Sequence, residues 1–552
     1  MPLSSTPLTI NAQTDYDVIV IGSGAGGLSA ALPLAQAGLK VLVCEQHEVP
    51  GGWTHSFALQ GYRFSPGVHY IGDLHSGGFL RNVYEGLGVS DDLEFCELNP
   101  DGFEHMLIGQ ERFDFPKGKS NLVTRLQDRF PNEVKGIAAY MDTVSAMMEN
   151  VNSMMQIKSL GDALKAISNG AGLIRWGTRS GKDLIDRFVS DPLLKGILSG
   201  QSGDHGLPPS LVSSFVHAGI TYHYFNGGYY PRGGGGAIPH AFVRALKKAG
   251  GELRLKTPVA RILLEKNKAV GVKLADGSIL TTKHIISNAD PEVTFGRLIG
   301  REHLSNRLRR KLDRVKYSVS ALSLFFAVDM DLRAAGLDSG NYWIYDHADV
   351  DGLYRLGLTD YVLKEEKPSA MFLTVTTLKD PSKMRKNHHT CEAFTFVGYD
   401  AFRKWAHEKS GERSQNYQSL KDKIANNMLK ALDKRFPGIR DSVVFKNLGT
   451  PLTNEYYINA TRGSLYGIAQ SRRQVGPGAF PIRSEIEGLY LCGASTLSHG
   501  VSGVTVTGLT AAKSILQCRM SNMLAQKGRP LQIHPAEDLV YWQKLGAHKT
   551  EK

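Results

Sequence analysis

Tyr16-Asp17-Val18-Ile19-Val20-Ile21-Gly22-Ser23-Gly24-Ala25-Gly26-Gly27, then the apolar run Leu28 to Leu39, then Lys40-Val41-Leu42-Val43-Cys44-Glu45, decides how this chain folds. The β-branched opening predicts a strand, the glycines a tight turn, and the apolar run a helix packed back on that strand. The second β-branched run predicts a parallel neighbour ending at Glu45, about twenty residues beyond the turn, the spacing of a dinucleotide-binding βαβ unit. In such a unit Gly22 allows the turn, Gly24 lets the backbone approach a pyrophosphate, and Gly27 lets helix and sheet lie close. The phosphates then meet the unpaired N–H groups at the positive helix end, and Glu45 accepts from the ribose hydroxyls. Ser23 and Gln46 belong to the same predicted site. Pro33 falls inside the helix, where a missing donor costs about 3 kcal/mol, so a kink or an early end is expected there.

The chain has 552 residues, enough for about two or three domains with large cores. With 42% hydrophobic and 21% charged residues it is neither a disordered chain nor a multi-span membrane protein. The uncharged run Val18 to Leu39 is interrupted by turn glycines and does not read as a spanning helix. A net charge of +12 favours anionic partners. Its densest patch, Arg307 to Arg314, suits either lipid headgroups or a solvated helix face, and no motif supports nucleic-acid binding. Five cysteines without a C-x-x-C pair suit a reducing compartment. Met1 to Thr14 lacks the basic-then-apolar pattern of a signal peptide. The expectation is a cytoplasmic protein whose membrane contact is peripheral. His388-His389 lacks further ligands at zinc spacing, so no metal is expected.

Paired glycines in Val49-Pro50-Gly51-Gly52-Trp53 let the chain pass close to a bulky ligand, here the far side of the same dinucleotide. With the glycine turn, Glu45 and Pro50-Gly51-Gly52 together, the chain resembles the flavoprotein group of amine oxidases, phytoene desaturases, carotenoid isomerases and retinol saturases. His55-Ser56-Phe57 and Gly67-Val68-His69-Tyr70-Ile71-Gly72 are similar to retinol saturases in particular, whereas Trp53 stands where phytoene desaturases commonly have arginine. The resemblance implies FAD as the dinucleotide and an α/β fold. That fold is a Rossmann-like FAD-binding domain of the glutathione reductase type, assembled from three segments, with an α+β substrate or lid domain inserted.

Residues 76–225 read as amphipathic helices with little strand signal, for example Val134 to Val151 and Leu160 to Trp176. Met147, Met148, Met154 and Met155 suit either a deformable cavity wall or a helix core, and Gly170 to Trp176 suits an interfacial element. The glycine run within Pro231 to Pro239 leads into a helix from Ala241 to Ala249 and strand-like runs at 252–255, 259–264, 269–274 and 278–280, with Asp276-Gly277 as a hairpin turn. The resemblance implies that the backbone at Val259 reaches the adenine. Residues 301–484 alternate strand-like stretches, Ser318 to Asp329 and Ser369 to Leu378, with a helix from Tyr417 to Phe436, which predicts a sheet lining a substrate cavity under a helical lid.

Gly488 to Gly493 predicts a short buried strand entering a helix from Val501 to Leu516. By resemblance this is the last FAD element, with Gly493, Ala494, Val501 and Ser502 at a helix N-terminus facing the flavin pyrimidine. Ala494 stands where many flavoproteins have aspartate, which leaves Ser495 as the replacement contact. The expected organisation is a tail at 1–14, a FAD domain from 15–75, 226–300 and 485–517, a substrate domain from 76–225 and 301–484, and a polar surface tail from 518–552.

The cofactor would perform the redox step while the protein orients substrate and excludes side reactions. No second strong G-x-G-x-x-G marks an NAD(P) domain, so a quinone or another carrier is the expected electron partner. The leading reading is hydride exchange between flavin N5 and a C=C bond of an apolar polyene, a retinoid or carotenoid, by a retinol saturase-like reductase. A desaturase, a cis-trans isomerase, an amine oxidase-like enzyme and a non-catalytic lipid-binding escort remain as alternatives. His69, Tyr70 and His499 are the candidate proton-transfer or positioning residues.

Overall fold

A strand whose side chains are apolar on both faces must lie inside a sheet covered on both sides. In the computed structural model, which describes residues 14–155, 176–525 and 527–550, Tyr16–Ile21 forms such a strand, β1. It pairs in parallel with β2 (Val41–Cys44) on one side and with Ile279–Ser287 on the other. Val18, Ile19 and Val20 are fully buried, each contributing about 1.5–3 kcal/mol of apolar transfer. Helix α1 (Ala25–Gln36) covers one face and packs between the helices Ala237–Lys248 and Gly500–Leu516. The sheet continues through Glu252–Arg254 beyond β2, and through Lys268–Leu274 and Val259–Glu265 at the other end.

The strand Ile279–Ser287 runs well beyond the strand-like run read at 278–280. Its first half pairs antiparallel with Lys268–Leu274, and its second half pairs in parallel with Leu489–Leu491 along the same edge. The polar residues between stay in the ladder because Thr281 N and Oγ1 both donate to Asp15, while Thr282 is buried. Gly277 has φ +91° beside Asp276, as the hairpin turn requires.

A second mixed sheet runs in the order Val443–Gly449, Ser320–Val328, His389–Val397, Ala370–Val375, Asn341–Tyr345, Glu104–Ile108, Glu111–Phe115. Its last two strands come from the stretch read as helical. Glu104, His105 and Asp114 hide them from a pattern reading, yet Glu104 and His105 are buried and paired. The helix Gln415–Asp433 packs across this sheet through Ile424, Met428 and Leu432.

Two expectations are corrected. Helix α1 does not end at Pro33 but continues to Gln36. Pro33 is buried within one turn of the helix end, and Ala37 N–H resumes the ladder by donating to Pro33 O at 3.0 Å. The segment beyond Gln526 is more than a surface tail: Gln532–Pro535 pairs in parallel with Glu94–Glu97, which also pairs with Tyr229–Pro231. His534, fully buried, links Glu94 at 2.9 Å to Tyr541 and holds that strand down. Of the two readings open for the methionines, Met147 and Met148 take the helix core. The helix expected at Leu160 to Trp176 and the interfacial element at Gly170 to Trp176 lie outside the described residues, apart from Trp176, as does most of the N-terminal tail. Among the described residues no helix is long and apolar enough to cross a membrane.

Candidate functional site

Parallel sheets bind ligands where strands end and helices begin. The carboxyl ends of β1 and β2, the start of helix Gly500–Leu516 and one face of the second sheet enclose a cavity of about 360 Å³. Of the residues singled out from the sequence, Gly22, Gly24, Glu45, Gln46, Gly51, Gly52, Trp53 and Val259 line its one end. Gly493, Ala494, Val501 and Ser502 line it from the last helix, and His69, Tyr70 and His499 line it where the second sheet approaches. Two do not. Ser23 lies behind the wall, donating to Glu45, and a Cβ on Gly27 would meet Gly22 O at 2.1 Å, so that glycine packs the turn.

The wall is shaped by what it lacks. A Cβ on Gly24 would stand 2.6 Å from Asn288 Nδ2, and one on Gly52 3.5 Å from Gly24 Cα. Asn288, just beyond the strand Ile279–Ser287, also backs Gly22, Gly26 and Gly493, and it lies in the block His284 to Pro291 that the resemblance places at the FAD site. Gly51 and Gly52 have φ of +121° and +52°, which only glycine tolerates readily. Helix α1 and helix Gly500–Leu516 both start at the cavity, and neither has a side-chain cap. Uncapped N–H groups at a helix start need partners, and anionic oxygens suit them. Glu45 accepts from Ser23 N at 2.9 Å, Ser23 Oγ at 2.7 Å and His47 N at 2.8 Å, so it is held ready at the end of β2. Ser495 lines the cavity and accepts from Ile468 N at 3.2 Å. A glycine cradle, a fixed acid and two open helix ends fit a dinucleotide.

The far end is apolar. Ile220, Ala321, Phe372, Phe394 and Leu465 line it, together with the aromatic faces of Tyr70, Tyr224 and Tyr466. His69 stands among them, its ring 5.3 Å from that of Phe372 and 5.6 Å from that of Phe394. Glu392 orients it through Nδ1 at 2.9 Å while accepting from Ser65 N at 2.7 Å. Lys379 Nζ donates to His69 O at 2.7 Å, and burial brings that amine down to about 7. His499 lies 4.9 Å from the Tyr466 ring; its Nε2 has no partner among the described residues, and burial lowers its pKa to about 4.

Tyr70 stacks on Tyr224 at 4.4 Å, and its hydroxyl bonds to Glu104 and, at 2.5 Å, to Asp204 Oδ2. Burial pushes Tyr70, Glu104 and Asp204 up. Neither acid was visible in advance, because they come from different elements and no motif joins them. The one sequence signal is Glu104 heading the otherwise apolar Met106-Leu107-Ile108.

Comparison with known proteins agrees with this geometry. The model of the flavin containing amine oxidoreductase family matches residues 25–516. All-trans-retinol 13,14-reductase of Danio rerio is 30% identical over 92% of this chain and 87% of its own. Prolycopene isomerase 1, chloroplastic, of an Oncidium hybrid cultivar is 28% identical over 92% of this chain and 84% of its own. An oxidoreductase from Methanosarcina mazei has a similar fold, with a TM-score of 0.60 at 18% identity, covering 91% of this chain and 100% of that one.

Proposed function

The chain belongs to the flavin containing amine oxidoreductase family and its dinucleotide is FAD, and from that premise we propose that it is a retinol saturase-like reductase of an apolar conjugated isoprenoid, a retinoid or carotenoid. One observation carries the reading: the glycine cradle and the apolar wall of Ile220, Phe372, Phe394 and Leu465 belong to one cavity, so a greasy substrate can lie beside the cofactor ring. Relatives named for retinol reduction and for prolycopene isomerisation support the same substrate class. Bound FAD would supply a two-electron transfer to or from a carbon of the C=C bond.

The chain's own residues supply the rest. Gly22 and Gly24 would admit the pyrophosphate, backed by Ser23 and Gly27; Glu45 and Gln46 would take the ribose, and Val259 the adenine. Gly51, Gly52 and Trp53 would border the ring, and the helix start at Gly493, Ala494, Val501 and Ser502 would favour negative charge on it. His69, held by Glu392, fixes the substrate among the phenylalanines. His499 stays neutral at the cavity wall and offers an Nε2 that has no partner among the described residues. The FAD domain comprises 15–75, 226–300 and 485–517, and the inserted segments build the substrate chamber. Electrons enter through a quinone or another carrier. The exposed Tyr456 and Tyr457, the latter also lining the cavity, suit peripheral contact with the membrane from which such a substrate comes.

The test is anaerobic incubation of the reduced holoenzyme with a panel of retinoids and carotenoids, read by polyene absorbance and product mass. A product heavier by one H₂ with a shortened chromophore supports the reductase. An unchanged mass with a shifted spectrum would instead identify the isomerase, the reading that the prolycopene isomerase relative favours. No change with any polyene refutes both.

A further inference from the structure

Tyr70, Glu104 and Asp204 pose a counting problem. The Tyr70 hydroxyl lies within hydrogen-bond distance of Glu104 Oε1 and Asp204 Oδ2. One phenol hydrogen cannot serve two carboxylates, so one of these contacts needs a hydrogen from a carboxyl group, donated to the phenol oxygen. Glu104 is the poorer place for it. Its Oε2 accepts from Gln201 Nε2 at 2.6 Å, and its Oε1 accepts from Trp343 Nε1 at 3.1 Å as well as from Tyr70. Donors on both oxygens favour the ionised form. The Asp204 carboxyl bonds to Tyr70 and to no other described residue, and of the two acids it alone lines the cavity.

We infer that Asp204 holds a carboxylic hydrogen at the cavity wall and delivers it as the proton that completes reduction of the substrate C=C bond, with Tyr70 and Glu104 as its positioning residues. The inference rests on the reductase reading above. The electron pair and first hydrogen come from two-electron-reduced flavin. The second hydrogen comes from Asp204: its O–H bond breaks, a C–H bond forms at the adjacent electron-rich carbon, and the carboxylate keeps the O–H electron pair. Tyr70 then turns its hydroxyl hydrogen toward the new Asp204 anion, and a solvent proton restores the acid before the next turnover.

The groups around the cluster leave this proton in place. Tyr224 stacks on Tyr70, Tyr345 and Tyr354 stand behind it, and Tyr466 shares the cavity. Burial raises all four phenols, so they are uncharged near neutrality. Lys379, charged in part near neutrality, acts on Glu104, where its cationic form favours the ionised carboxylate. The same burial, with Glu104 close by, raises Asp204 well above the usual carboxylate range.

Infrared spectroscopy of the holoenzyme with isotope-labelled aspartate tests this without turnover. A carboxylic C=O band present at pH 7, absent in Asp204→Asn and shifted in Tyr70→Phe, is the expected result; no such band overturns the inference. In turnover, Asp204→Asn should retain flavin absorbance and lose about 10²–10⁴-fold in rate, the range for a lost general acid. Tyr70→Phe should lower the rate less and move the alkaline limb of the pH–rate profile upward, a readout that a merely structural residue would not move. In D₂O the wild-type product should carry solvent deuterium at the carbon that Asp204 protonates. An active wild type with an equally active Asp204→Asn overturns the delivery step alone, whereas a wild type that reduces no polyene overturns the reductase reading and the delivery step together.

Discussion

Glu45→Ala separates what the acid does for the fold from what it does for the cofactor. Glu45 is 7% exposed, and its two oxygens take three hydrogens, from Ser23 N, Ser23 Oγ and His47 N. Truncation leaves the buried Ser23 N–H without a partner, which costs about 1–3 kcal/mol. The half-buried His47 N–H adds roughly 1 kcal/mol, for a total of about 2–4 kcal/mol. With an unfolding entropy near 2 cal/mol/K per residue, a chain this long loses about 2–4 °C in Tm. The lost acceptor for a ribose hydroxyl should weaken FAD by about 10–100-fold, since a hydrogen bond to a charged group is worth roughly 1.5–3 kcal/mol. Glu45→Gln keeps one acceptor oxygen but turns its amide donors toward N–H donors, so it should fall between wild type and Glu45→Ala in both readings. Tm is measured on the flavin-free protein, and affinity by flavin fluorescence titration. An alanine variant with unchanged Tm and wild-type affinity would refute the reasoning.

Gly24→Ala drives a methyl to within 2.6 Å of Asn288 Nδ2, and such overpacking costs about 1–3 kcal/mol. Adding Asn288→Ala should restore Tm but not the flavin-to-protein absorbance ratio, because the methyl still faces the cavity. Glu392→Leu strands Ser65 N–H and frees the His69 ring, so it should destabilise by about 2–4 kcal/mol in urea unfolding. His69→Gln should keep fold and flavin absorbance but lower turnover by at least about 10-fold; unchanged turnover removes His69 from the mechanism. Burial holds His217 at about 4 against its usual 6.5, and its Nε2 meets the Tyr140 hydroxyl at 2.7 Å. The unfolded chain takes up this proton near 6.5 and the folded one only near 4, so the contribution is full above 6.5 and is lost as pH falls to 4, about 3 kcal/mol. His217→Gln should flatten that acid limb in a plot of Tm against pH, and an unaltered limb would falsify the assignment.

What could be read in advance follows contact range. The unit from β1 through α1 to β2 is contiguous in sequence, and each turn residue serves a neighbour a few positions away, so pattern and spacing suffice. The strand Gln532–Pro535 was missed because its partner is Glu94–Glu97 at the opposite end of the chain, and polarity alone argues for a tail. Glu104–Ile108 was missed because its leading acid is satisfied only in three dimensions, by Tyr70, Gln201 and Trp343. Asp204 gains its character from the same convergence; it closes the short 3₁₀ helix Gly200–Asp204, and nothing in the sequence around it marks it out. Pro33 shows the reverse: a local rule against helix yielded to burial of the whole segment.

The pairing of Glu94–Glu97 with Gln532–Pro535 also sets an order of assembly. A ribosome releases the first of these strands long before the second, so one flank of the nascent sheet stays open in between. Open flanks recruit foreign strands. Buried His534, bridging Glu94 and Tyr541, then acts as the latch that shuts the flank, and the protein is most exposed to mispairing in the interval before that latch is made.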